Sequence, residues 1–195
     1  FHDVIVKVPL IVVDPRAEAE STRGQVCGHM VESIDLVPTF LDVLGLPQPK
    51  EWLEGESLVP LLHGRGGAWK KDMAVCENTF AFRDCVRLPI GVPVERCNMT
   101  MVRTREWKYV HVDGLRPMLF DLVDDPGELN DLGASHEHAA VRERMQQNVE
   151  QRFIGTERGN NREGLQYLRE RFVSTIFPLV ESFRDDPRTK RVIDE

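Results

Sequence analysis

Three short apolar runs, residues 99–102, 107–112 and 118–122, alternate with turn-forming residues in the middle of the chain. Thr104-Arg105-Glu106 separates the first two, and Asp113-Gly114 lies between the second and third. Asp-Gly between apolar runs signals a hairpin, because glycine accepts a positive φ. In the second run Trp107, Tyr109 and His111 alternate with Lys108, Val110 and Val112, a period of two with mixed polarity on both faces. The pattern predicts an antiparallel meander. With a fourth strand over residues 73–77 beside it, a four-stranded antiparallel sheet is expected.

Before the meander, residues 4–13 (VIVKVPLIVV) are apolar on both faces apart from Lys7. Such a run predicts a strand over residues 8–13 covered on both sides, as in a parallel sheet. The chain shows no series of βα repeats to supply that sheet. Together with a start at Phe1, this leads us to expect a fragment whose strand neighbours lie elsewhere. Residues 25–33 read as a strand or extended entry. A helix is expected over residues 35–44, with Asp35 as its N-cap, Pro38 in its first turn and Gly45 as its stop. Leu36, Val37, Phe40, Leu41 and Leu44 form its apolar face, which would cover the large sheet. A short helix is expected over 56–63, and residues 80–95 read as irregular. Asp124, Asp125 and Glu128 lack the alternating spacing of a calcium loop and suit turn and cap duty.

Val141, Met145, Val149 and Phe153 recur every four residues, predicting an amphipathic helix over 136–154. Leu165, Leu168, Phe172 and Ile176 make a second stripe after a linker at 155–162. The expected fold is therefore an α/β fragment in three parts. Residues 1–66 carry one or two edge strands of a large sheet with a covering helix. Residues 67–132 form an α+β subdomain with the four-stranded antiparallel sheet, and residues 133–195 are C-terminal helices.

Composition narrows the class. The 195 residues are 41% apolar and 29% charged, as in globular proteins. A formal charge of −7 argues against nonspecific nucleic-acid binding. No apolar run reaches the roughly 18 residues of a membrane span. Four cysteines, Cys27, Cys76, Cys85 and Cys97, show no C-x-x-C spacing, so reduced thiols are expected rather than disulfides or zinc, and with them a cytoplasmic location, a periplasmic one staying open because the N-terminal part is expected to lie elsewhere.

Three segments carry a resemblance: VPLIVVDPR (8–16), ESIDLVPTFLD (32–42) and VRTREWKYVH…LFDLVDDPGELNDL (102–132). In order and spacing they resemble the C-terminal part of the sulfatase and phosphonate monoester hydrolase branch of the alkaline phosphatase superfamily. The resemblance implies hydrolysis of sulfate or phosphate/phosphonate esters by a formylglycine nucleophile and a divalent metal, in a parent protein. The nucleophile arises from Cys or Ser in a C-x-P-x-R motif. None of the four cysteines sits in that motif, and no Ser-x-P-x-R occurs. The family's Asp-His metal pair and catalytic Lys would precede Phe1.

No catalytic or metal-binding residue and no cofactor is therefore expected in this chain. The resemblance implies substrate-proximal positions for His2 and Asp3, near the mouth of the complete site, and for Arg83. Arg83 lies in a stretch, Phe80 to Asp84, that is similar to a family loop following the same strand. The alternatives are a strand-entry loop for His2 and Asp3, and a surface ion pair with Asp84 or Glu77 for Arg83. His136 and His138 suit a solvated helix end, since i, i+2 spacing points them apart, and His111 a packed strand position. The expected function is that of the C-terminal region of a metal-dependent ester hydrolase, inactive alone, whose partners are the missing N-terminal catalytic region and further copies of itself. The alternative is a non-enzymatic oligomerisation module built on the last two helices, whose apolar stripes find few partners in so short a chain.

Overall fold

The structure, a computed structural model, describes residues 1–50 and 53–156. Residues 1–155 form one compact unit. At its centre is a four-stranded antiparallel sheet in the order β1 (Ala74–Thr79), β2 (Asn98–Arg103), β3 (Trp107–Val112), β4 (Met118–Asp121). Alternation of side chains builds both faces. Val75, Val102, Tyr109 and Leu119 stand in register across the sheet, and so do Cys76, Met101, Val110 and Met118. Gly114 turns the β3–β4 connection with φ +72°.

Both faces are covered. The helix at Ala139–Thr156 packs Met145 and Val149 onto Val102, Tyr109 and Leu119, with Val141 at the margin. The opposite face takes Phe1, Val6, Phe80, Val92 and Cys97 onto Met101, Val110 and Val112. The first stripe predicted for the C-terminal helices thus has its partner within this chain. The second, over residues 165–176, lies outside the described residues.

Before the sheet, α1 (Asp3–Val6) is a single turn, and two further helices, α2 (Leu36–Val43) and α3 (Val59–Leu62), pack together. α2 follows a turn of 3-10 helix at Ser33–Asp35 and ends at Gly45, whose φ is +66°. Two further α-helices among the described residues are α4 (Asp84–Ile90) and α5, the helix at Ala139–Thr156.

Four local expectations are corrected. Residues 8–13 form no strand: among the described residues nothing pairs with them, and Ile11 and Val13 are 88% and 82% exposed. An extended run needs a neighbour to complete its ladder, and the described residues offer none. Residues 25–33 likewise form no strand. On α2, Pro38, Thr39 and Leu41 are buried, while Val37 and Phe40 face solvent. Finally, residues 80–95 contain α4, which runs through Pro89 in its last turn and closes at left-handed Gly91.

Candidate functional site

Charge collects on the sheet face that carries residues 1–6. Arg103 and Lys108 are direct cross-strand partners in the β2–β3 hairpin, so two cations stand side by side, an unfavourable arrangement by itself. The side chain of Lys108 is fully buried, which would be costly without partners. Its ammonium donates to the Phe1 carbonyl at 2.9 Å and to the carboxylates of Asp3 and Glu128. Arg103 holds Asp3 through Nε at 3.1 Å to Oδ1 and Nη2 at 2.9 Å to Oδ2. Burial opposes ionisation of Asp3, but hydrogen bonds from Arg103 and Lys108 outweigh it and lower its pKa to about 2.

Glu128 follows the Asp124-Asp125-Pro126-Gly127 turn with φ +55°, a left-handed backbone that a non-glycine residue seldom adopts. Its Oε1 also accepts the Asp3 N–H at 2.9 Å, at the start of α1. Its Oε2 lies 3.0 Å from Nδ1 of half-exposed His2, off hydrogen-bonding alignment. Three parts of the sequence thus meet: residues 1–3, the β2–β3 hairpin and the turn after β4.

Two smaller clusters fix the preceding segments. Asp35, expected as an N-cap, already has helical dihedrals, and its carboxylate points to other donors: the Glu32 N–H at 2.8 Å, the Glu56 N–H at 2.9 Å and Lys71 Nζ at 2.7 Å. Asp14 receives a two-point hydrogen bond from Arg16, Nε to Oδ1 at 2.9 Å and Nη2 to Oδ2 at 2.7 Å. Arg16 holds that carboxyl well below the usual range, and His63 Nε2 adds a contact at 3.0 Å.

The structure brings two of the three expected substrate-proximal residues, His2 and Asp3, into the first cluster. Arg83 lies outside it, exposed at the head of α4, where Asp84 pairs with Arg87 at 2.6 Å. His138 bonds Ser135 Oγ at 2.9 Å and tilts against Trp107. Asp125 serves the turn, accepting the Asn130 N–H at 2.8 Å. Sequence reasoning missed Arg103, Lys108 and Glu128. The signal was present: period two places Arg103 and Lys108 on one face of a hairpin whose other members are apolar, and a cation pair there demands carboxylates from elsewhere.

None of this supplies a nucleophile paired with a base. Among the described residues no group of three or more His, Cys, Asp or Glu side chains is arranged to hold a metal ion. The donor set therefore does not fit the divalent metal that the resemblance implies for the parent.

The family model described as N-sulphoglucosamine sulphohydrolase, C-terminal, matches residues 1–154. The chain belongs to this sulfatase family. It is 31% identical over 140 residues to the multifunctional alkaline phosphatase superfamily protein PehA of Trinickia caryophylli, covering 69% of this chain and 26% of that protein. It is 32% identical over 134 residues to arylsulfatase K of Bos taurus, covering 65% of this chain and 22% of that protein. Among solved structures, phosphonate monoester hydrolase of Agrobacterium radiobacter is 34% identical with a TM-score of 0.54, over 60% of this chain and 23% of that one. Phosphonate monoester hydrolase SpPMH from Silicibacter pomeroyi is 26% identical with a TM-score of 0.60, over 67% and 26%. The chain spans about a quarter of the length of these sulfatase-family relatives. No helix among the described residues is long and apolar enough to cross a membrane.

Proposed function

We propose that this chain is the C-terminal region of a metal-dependent hydrolase of sulfate or phosphate/phosphonate esters, and that it is inactive alone. The family match over residues 1–154 carries this reading. Arylsulfatase K and the two phosphonate monoester hydrolases named above are about three times as long as this chain. In this reading the nucleophile and the divalent metal belong to the catalytic region, and this chain walls and braces that region.

The distribution of apolar surface supports the same role. Val4, Ile5, Val8, Ile11 and Val13 are exposed in succession, and Val37, Phe40 and Val43 are exposed on α2. So long an apolar run is seldom left in water by a chain that is complete in itself. Residues 8–13 would add a strand to the large sheet of the catalytic region, with α2 against its face. His2, Asp3 and Arg83 are then the residues nearest the substrate entrance.

The test compares the purified 195-residue chain with the full-length protein that carries it, using an aryl sulfate, an aryl phosphate and an aryl phosphonate monoester with divalent metal added. The expected result is turnover by the full-length protein and none by the chain. Metal-dependent turnover by the chain alone would refute the reading.

A further inference from the structure

A surface salt bridge needs two residues; the cluster at the start of this chain uses four, and its geometry restrains backbone as well as charge. Lys108 grips the carbonyl of Phe1, Glu128 grips the N–H of Asp3, and Arg103 and Lys108 share the Asp3 carboxylate. Two main-chain groups and one side chain of a three-residue segment are thereby tied to the sheet. Glu128 reaches its place only through a left-handed backbone, a conformation that persists where its surroundings over-determine it. The segment so held leads within one helical turn into the exposed apolar run.

We propose that Arg103, Lys108 and Glu128 form a positioning clamp that fixes residues 1–3 on the sheet and so sets the direction in which residues 4–13 meet the catalytic region. Lys108 and Asp3 are its central positioning residues. The clamp rests on the function proposed above for its role in catalysis, though not for its existence. It makes the antiparallel sheet a rigid base from which the strand-forming run is launched, and any slackness there is passed to the wall of the active site.

Asp3→Asn is the variant of choice, because Asp3 lies outside the sheet and its loss leaves every strand intact. Lys108→Met removes the buried ammonium as a second, harsher change. Amide hydrogen exchange in the 195-residue chain reads the clamp directly: the N–H groups of Ile5, Val6 and Lys7 bond the carbonyls of His2 and Asp3. In Asp3→Asn these amides are expected to exchange about tenfold faster or more, while those of β2 and β3 change by less than about twofold. Equal acceleration in sheet and segment, or none, overturns the clamp.

In the full-length protein the same variant is expected to lower kcat by about tenfold or more, with KM and the pH profile of kcat/KM little changed, as for misplacement without loss of a proton-transfer group. Unchanged kcat alongside faster local exchange overturns the positioning role. If the wild-type full-length protein hydrolyses none of the esters, the proposed function fails with that role, and the exchange experiment decides the clamp by itself.

Discussion

Glu32 caps the open edge of the sheet: its Oε1 accepts the amide N–H of Val75, the second residue of β1, at 2.7 Å. Its other oxygen takes Lys71 Nζ at 2.9 Å, and Lys71 also holds Asp35. One carboxylate thus occupies an edge donor that would otherwise seek a partner from another chain, and joins the helical segment before α2 to the sheet.

Glu32→Ala is therefore expected to destabilise the fold by about 1–3 kcal/mol, the usual cost of stranding partly buried partners. Glu32→Gln keeps an acceptor for Val75 and should lose less. Urea unfolding followed by circular dichroism measures both. Equal losses would mean that the Lys71 ion pair, not the edge cap, carries the effect.

The packing of α5 can be tested in the same way. Met145 is fully buried against Val102, Tyr109 and Leu119. Met145→Ala should cost about 2–5 kcal/mol through lost burial and a residual cavity. Gln146→Ala, one residue along on the exposed side, should stay within about 0.5 kcal/mol. Similar small effects at both positions would show that α5 is not docked on the sheet in solution.

Gly55 is a close-approach glycine. A Cβ built there would collide with the carbonyl of Ile34, backbone that cannot swing aside as a side chain can. Gly55→Ala should lower the melting temperature, with a loss of about 1–3 kcal/mol. Gly67→Ala, where a Cβ meets nothing within 4 Å, serves as the control. If the two variants melt together, the segment around residue 55 does not pack as described.

How far the sequence revealed this follows from where its signals are local. β2, β3 and β4 were legible because period-two alternation and Asp113-Gly114 fix strands, register and turn without outside help. α5 was legible from Val141, Met145 and Val149. α4 was hidden by Pro89 and Gly91, which read as breakers but occupy its last turn and its left-handed stop. Residues 8–13 form no strand because strand propensity is realised only beside a partner, and the described residues hold none, as the lack of βα repeats already implied. The cluster was hidden for a related reason. Asp3 and Lys108 are 105 residues apart, so only the hairpin register, which pairs Lys108 with Arg103, points to a missing carboxylate.

The Asp3 carboxyl has its pKa lowered from 3.8 to about 2 in the fold. Asp14 and Asp131 are lowered too, Asp14 mainly by Arg16, and Asp131 by the Gly133 and Leu119 N–H groups and Arg116, which outweigh its burial. A depressed carboxyl adds stability that is fully present above its unfolded-state pKa and is lost as pH falls through its folded-state pKa. For Asp3 that window runs from 3.8 down to about 2. The fold should therefore weaken steeply across it. Asp3→Asn should be less stable than wild type at neutral pH, and the gap should close as pH falls through the window, because protonated Asp3 no longer pairs with Arg103 or Lys108. Urea unfolding of both proteins at several pH values measures that gap. A gap that stays constant into acid would mean that the Asp3 side chain matters for its shape and not for its charge.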